Sequence, residues 1–254
     1  MRVIAVTGSV SGIGAALRAR LETAGERMIG VDRRDAEVIA ELGCGDGRAA
    51  AVARVEAACD GRLDGLVACA GVGPQVAPAS AIVSIDYFGA QALLAGLRSS
   101  LAAAGGAAAV AVCSNSSTLP GADGPLAAAC LAGNEEDARR PALARGGHPA
   151  CAGAKLALAR WVRRSAPGAE WAGAGVRLNA VAPGAVLTPL LRDGVEHPVF
   201  PPAIRSPIAT GAFGAPEQLA GAIAFLPGPD AAFCCGSVLF VDGGTDALLR
   251  PDRY

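Results

Sequence analysis

The sequence predicts one α/β domain built on a doubly wound parallel sheet with helices on both faces. Three observations carry this expectation. Short apolar runs alternate with segments of helical periodicity along most of the 254 residues. A glycine-rich loop, Thr7-Gly8-Ser9-Val10-Ser11-Gly12-Ile13-Gly14, joins the first apolar run to the first helical face. No internal repeat or linker-like tract divides the chain. Alternation of this kind sets strands side by side in parallel, with crossover helices covering them, and the loop gives the sheet a Rossmann character.

The elements follow in order. Val3 to Val6 is a short apolar run of the kind a sheet buries on both faces. Beyond the loop, Ile13, Ala16, Leu17, Leu21 and Ala24 fall on one helical face. Arg27 to Val31 is a second strand ending at Asp32, residues 48–59 form a helix, and Gly65 to Ala70 is a buried strand. Ile82 to Leu101 reads as one long helix and Ala108 to Cys113 as the next strand. Ala152 to Val162 is helical, Val176 to Val181 extended, and Glu217 to Leu226 helical, with Leu219, Ala222, Ile223 and Leu226 on one face. Ser237 to Val241 closes the series. Two stretches interrupt the alternation: 118–149, with prolines, glycines and a charged cluster, and 183–216, with seven prolines. Loops of this length in a compact domain are usually functional.

Composition excludes several classes of function. Apolar residues make up 52% and charged residues 18%, which excludes a disordered chain. A net charge of −1 gives no electrostatic basis for binding nucleic acid or anionic lipid. Mean hydropathy is +0.39. Even so, the longest apolar run, Leu101 to Cys113, is short of the ~20 residues a membrane span needs. The N-terminal residues run directly into the glycine loop without a signal peptide's apolar stretch, so a soluble cytoplasmic protein with reduced, mostly buried thiols is expected. The eight cysteines show no CxxC spacing, and His148 and His197 belong to no ligand-spaced cluster, so no metal site is expected.

Gly8, Ser11, Gly12 and Gly14 sit where a strand–loop–helix unit brings backbone N–H groups to a pyrophosphate at the positive end of a helix. Asp32 ends the next strand, 18 residues beyond Gly14. A carboxylate there accepts both ribose hydroxyls of NAD and repels the 2′-phosphate of NADP, a preference softened by Arg33 and Arg34. The expected cofactor is NAD, with NADP less favoured.

The motif TGxxxGIG at 7–14, Cys69-Ala70-Gly71, and Asn179 to Gly184 (NAVAPG) resemble the short-chain dehydrogenase/reductase family over essentially the whole chain. VDRRDAEVIAEL (31–42), CAGVGPQ (69–75), VSIDYFGA (83–90), GVRLNAVAPGA (175–185) and the final VDGGTDALLRPDRY resemble, within it, the bacterial 3α-hydroxysteroid dehydrogenase/carbonyl reductase group. The resemblance implies NAD lying across the carboxyl ends of the strands. It places Ile13 beside the pyrophosphate, Glu41 and Leu42 near the adenine, and Ala70 and Gly71 along the adenosine ribose. Pro183, Gly184, Val186 and Thr188 would surround the nicotinamide and its carboxamide.

By the same resemblance, Ser114 matches the serine that fixes the substrate oxygen, and Lys155 matches the lysine that holds the cofactor ribose. Ser116 and Ser117 lie close enough to compete for the serine's role. Two positions depart from the family. Asp86 stands where an asparagine organises the proton-relay water, and Cys151 where a tyrosine serves as proton donor and acceptor. Asp86, an acceptor when ionised, is positioned to pair with Lys155 and hold it cationic. A thiol ionises more easily than a phenol, and Lys155 one turn away would lower it further. Its sulfur, however, ends about 4 Å nearer its own backbone than a tyrosine oxygen. Tyr87 and Tyr254, the only tyrosines, do not occupy that position.

Three readings follow. The chain is an NAD(H)-dependent oxidoreductase acting on a hydroxyl or carbonyl, with Ser114 polarising the oxygen and Cys151, a water or Lys155 relaying the proton. Alternatively, the site is turned to a non-redox reaction with Cys151 as nucleophile or base. Alternatively again, the protein is a catalytically silent NAD-binding scaffold. The segment 185–215 is expected to fold over substrate as a lid. Its apolar members (Val186, Leu187, Leu190, Leu191, Val199, Phe200, Ile204 and Ile208) suit an apolar, cyclic small molecule. The resemblance further implies a homodimer to which the inserted segment 118–149 contributes, with Pro141 interrupting its helix.

Overall fold

The computed structural model describes residues 1–195 and 208–253. The chain begins β1 (Val3–Thr7), α1 (Gly12–Thr23), β2 (Arg27–Asp32), β3 (Val38–Ile39), α2 (Gly45–Ala58) and β4 (Gly65–Ala68). It continues with α3 (Ala79–Val83), a π-helical segment (Ser84–Gly89), α4 (Ala90–Gly96), α5 (Arg98–Ala102) and β5 (Ala108–Val112). Next come α6 (Pro125–Leu131), α7 (Glu135–Arg145), α8 (Gly147–Ser165) and β6 (Arg177–Pro183). The remainder is α9 (Pro189–Val195), α10 (Pro216–Phe225), β7 (Val238–Val241) and α11 (Thr245–Leu249). The strands form one parallel sheet in the order β3-β2-β1-β4-β5-β6-β7. The strand order reverses at β1/β4, and all carboxyl ends open on one edge, where such sheets bind ligands.

Strand periodicity divides the core into two layers. Ile4, Val6, Val67, Val110 and Val181 face α1 and α10, meeting Leu17, Leu21, Leu219 and Ile223. Ala5, Ile29, Leu66, Ala109 and Leu178 face the other way, toward Val55, Leu93, Leu94, Leu158 and Val162. Helices therefore cover both faces. β4 ends at Ala68, two residues earlier than its apolar run suggests. There the Cys69 and Ala70 N–H groups leave the ladder and donate to Thr7 Oγ1 at 3.0 and 2.9 Å.

The long helix expected over 82–101 starts at Ala79 and is interrupted by the π turn and again at Leu97. Tertiary contacts account for the π turn. The Ser84 carbonyl accepts from the buried Arg48 guanidinium at 2.8 Å, and Asp86 accepts the Val72 N–H at 2.8 Å. The stretch Ala79–Gly96 is long and apolar enough to cross a bilayer, but 61% of it is buried inside the fold, as befits a core helix. α8 begins at Gly147, five residues before the expected start, because Pro149 falls in the first turn, where no intrahelical N–H bond is lost. β3, two residues long, gives no detectable period.

The segment 118–149 folds as α6, α7 and the first residues of α8. The expectation that Pro141 interrupts its helix is incorrect: α7 runs through it. The helix is held by the Asn134 cap, which accepts the Asp137 N–H at 3.2 Å, by three acidic residues in its first turn, and by buried Ala138 and Ala142. All eight cysteines are free; Cys59, Cys113 and Cys130 are buried, whereas Cys44 and Cys235 are exposed. The thiols are thus less uniformly buried than the composition suggests.

Candidate active site

A cleft of about 560 Å³ opens along the carboxyl edge of the sheet. Four groups of residues meet in it. The glycine loop contributes Gly8, Ser11, Gly12, Ile13 and Gly14; the β4 turn contributes Ala70 and Gly71. Pro183, Gly184, Val186 and Thr188 line the far end, and Ser114, Asp86, Cys151 and Lys155 the floor. Three expected cofactor residues do not line the cleft. Asp32 lies beside the glycine loop, its carboxylate accepting the Val10 N–H at 3.2 Å and the Arg33 N–H at 2.7 Å. Exposed Glu41 accepts the Gly43 N–H at 2.9 Å, and Leu42 is buried in the core with its carbonyl on Arg48.

Ser114 follows β5 and caps the short turn Asn115–Thr118. Its Oγ accepts from the Ser116 N–H at 3.1 Å and the Ser116 hydroxyl at 2.9 Å. With its lone pairs engaged, its own O–H is left to donate into the cleft. Ser116 therefore supports Ser114, while Ser117 is buried. Ser116 lines the same cleft as Ser114, whereas Ser117 does not.

Lys155 is buried on α8, donating to the Val112 carbonyl at 3.0 Å and facing Asp86 Oδ2 at 3.6 Å. Burial works against its ammonium, but the groups facing it, Asp86 foremost, more than offset this and move its pKa up. Burial also raises the Asp86 pKa, against the pull of Lys155 and the Val72 N–H. The pair meets the cleft at Gly71, where an added Cβ would lie 3.3 Å from both Asp86 Oδ1 and Lys155 Nζ.

Cys151 sits one turn before Lys155, its thiol directed at the Val72 carbonyl at 3.8 Å. The expectation that Lys155 eases its ionisation is overturned. Burial, and next the Asp86 carboxylate, push the thiol pKa up far more than Lys155 lowers it. The Lys155 charge is already matched by Asp86. Tyr87 gives no phenol to the cleft, since it is buried in the core edge-on to Phe88.

Several cleft residues were not singled out by the sequence. His148, one turn before Cys151 on α8, lines the same cleft, as do Arg145 and Asp246. Thr118 donates to Asp246 at 2.6 Å, tying the turn after Ser114 to α11. The signal for His148 was its spacing of three from Cys151, legible only once the helix is known to begin at Gly147. Of the lid expected over 185–215, Val186, Leu190, Leu191 and Ile208 line the cleft and Leu187 is exposed. Val199, Phe200, Ile204 and His197 lie outside the described residues.

Comparison with known proteins gives this geometry a family. Residues 142–246 match a family model described as enoyl-(acyl carrier protein) reductase. The chain is 43% identical over 259 residues to the 3-alpha-hydroxysteroid dehydrogenase/carbonyl reductase of Comamonas testosteroni, covering 100% of both chains. It is 32% identical to a short-chain type dehydrogenase/reductase of Sinorhizobium fredii, over 98% of this chain and 44% of that one. Its fold superposes on the crystal structure of the 3-alpha-hydroxysteroid dehydrogenase from Pseudomonas sp. B-0831 complexed with NADH. That match has a TM-score of 0.96 and 48% identity, over 99% of this chain and 100% of that one. A full-length relative at this identity, together with the parallel sheet and its glycine loop, establishes that the chain belongs to the short-chain dehydrogenase/reductase family.

Proposed function

We propose that the protein is an NAD(H)-dependent oxidoreductase acting on a hydroxyl or carbonyl group of an apolar, cyclic small molecule, through an atypical active site. The observation that carries this reading is the convergence of Ser114, Lys155 and the glycine loop on one largely apolar cleft.

The residues suit a nicotinamide dinucleotide. α1 has no acidic residue in its first turn and no side-chain cap from Ser11, so its leading N–H groups are left for a pyrophosphate. Asp32 beside the loop favours NAD over NADP. Lys155, held cationic by Asp86, suits the hydroxyls of the nicotinamide ribose; Ala70, Gly71, Pro183, Gly184, Val186 and Thr188 line the remaining walls. Bound there, the reduced cofactor supplies a hydride. Ser114 donates its hydroxyl to the substrate oxygen, and Asp86 keeps Lys155 in place. Cys151 leaves open the space a phenol would fill.

The substrate class rests on the apolar walls Val186, Leu190, Leu191 and Ile208, and on the names of the relatives, which act on hydroxysteroids and carbonyls. The reading of Cys151 as a nucleophile is disfavoured by the raised thiol pKa. A homodimer is part of the proposal, and two surfaces present apolar side chains for it. The exterior of α7, in the inserted segment, carries exposed Leu143 beside Glu136, Arg139 and Arg140, and the sheet edge at β7 exposes Leu239, with Phe225 and Phe233 exposed nearby in the chain. An open edge strand with apolar side chains suits symmetric pairing with a second copy.

The test is consumption of NADH with a panel of cyclic ketones, and of NAD with the corresponding alcohols. Saturable turnover is expected with apolar cyclic members. Tight NADH binding without turnover on the whole panel would replace this reading with that of a silent scaffold.

A further inference from the structure

We propose that Arg145 anchors a carboxylate carried by the substrate, so that the apolar, cyclic molecule bound here ends in an acid at the mouth of the cleft. The inference rests on the oxidoreductase reading above and adds a charged end to its substrate class.

Charge matching singles Arg145 out. Among the described residues that line the cleft, the acidic and strongly basic side chains are Asp86, Arg145, Lys155 and Asp246. Lys155 faces Asp86 at 3.6 Å. Asp246 accepts two N–H groups of Arg250, at 2.9 and 2.8 Å, and the Thr118 hydroxyl at 2.6 Å. Asp123, in the loop that Arg145 faces, is held by Arg160 through two hydrogen bonds of 2.7 Å. Among the described residues, then, these carboxylates all pair with other cations and none pairs with Arg145. A guanidinium stays ionised at any working pH, and its planar fork of N–H donors fits both oxygens of a carboxylate.

The backbone provides a seat for this head group. Arg145 is the last residue of α7, and its guanidinium lies over Gly121 and Gly124. A Cβ added to Gly124 would lie 3.2 Å from Nη1, and one added to Gly121 would lie 3.9 Å from Nη2. Two positions without side chains thus keep room for the guanidinium. Leu119, Pro120, Gly121 and Ala122, from the stretch that bears the seat, also line the cleft, so the cation borders an apolar wall. Lys155, Cys151 and Gly147 succeed one another along α8 at about 6 Å per step, and Arg145 stands two residues before Gly147. An acid held there lies on the order of 10 Å from the reacting carbonyl, a span that fused rings or a ring with a short chain would fill. Arg145 is exposed, so the ion pair forms at the mouth and is screened by salt.

The experiment compares wild type, Arg145→Gln and Arg145→Lys, using NADH and (4-oxocyclohexyl)alkanoic acids of increasing chain length, each beside its methyl ester. In wild type, kcat/KM for the best acid is expected to exceed that for its ester by about tenfold, through KM, and the ratio to fall with added salt. Arg145→Gln should bring the ratio to about one, and Arg145→Lys should keep part of it. A second readout needs no turnover. Calorimetric titration of NADH-loaded wild type with 4-cyclohexylbutanoate and 4-cyclohexylbutanamide should show tighter binding of the carboxylate, a preference lost in Arg145→Gln. Equal values for acid and ester in wild type, or a preference that survives Arg145→Gln, overturns the role of Arg145 and leaves the oxidoreductase reading intact. Failure to reduce any acid or ester, with the carboxylate preference present in the titration, overturns the oxidoreductase reading and keeps the anchor.

Discussion

At position 151, the surroundings matter more than the intrinsic acidity of the side chain. A thiol is easier to ionise than a phenol in water, but here burial and the nearby Asp86 carboxylate keep it protonated. Under mildly alkaline conditions iodoacetamide should therefore modify exposed Cys44 and Cys235 first. Cys151 should lag by about tenfold or more, as mass spectrometry of timed digests will read; rapid, ligand-protected labelling of Cys151 would favour nucleophilic chemistry instead. Asp32 allows a second residue-scale prediction. In the proposed NAD site, Asp32→Ser would remove the carboxylate that opposes a 2′-phosphate while leaving Arg33 and Arg34. The ratio of Kd values for NADPH and NADH, read by fluorescence titration, should fall by about tenfold, a change of about 1.4 kcal/mol in relative binding.

At the scale of elements, one buried arginine joins three parts of the fold. Arg48 of α2 donates to the Leu42 carbonyl, to the Ser84 carbonyl in the π turn, and with two nitrogens to Glu135 at the start of α7, at 2.6 and 2.8 Å. It therefore fastens the inserted helices to the body of the domain and holds the turn that presents Asp86. Arg48→Met strands the Glu135 carboxylate and frees two carbonyls; a loss of about 3 kcal/mol in urea unfolding is expected, with faster proteolysis within α6 and α7. This network also explains what the sequence left hidden. β1, α1, β2, β5 and α10 were legible because their apolar spacing is local and matches their burial. The π turn was not, because Arg48 and Val72, distant in sequence, draw its backbone and Asp86 out of the regular helix. α7 was obscured by Pro141, whose lost hydrogen bond is outweighed by a capped first turn and a buried alanine face. The start of α8 was obscured by Gly147 and Pro149, and His148 with it. Ser114, Asp86, Cys151 and Lys155 were placed by motif and do meet in one cleft. Their protonation states depend on burial, which no spacing reports.

For the whole molecule, the sheet supplies the proposed catalytic edge at its strand ends and, among the described residues, a lateral edge at β7 that pairs no further strand. If the lateral edge pairs two copies, Leu239→Arg should convert a dimer to a monomer in light scattering at micromolar concentration, with NADH affinity retained. Retention of the dimer in that variant would place the contact elsewhere. The catalytic edge holds the central claim, that an oxidoreductase site persists although its phenol position carries a thiol. The most direct measurement is the rate of NADH oxidation by wild type and Cys151→Tyr with the same cyclic ketone. Slow wild-type turnover, accelerated by at least about tenfold when a phenol fills the space above Lys155, is the predicted result. An absence of turnover in both proteins, with NADH bound in each, would contradict it.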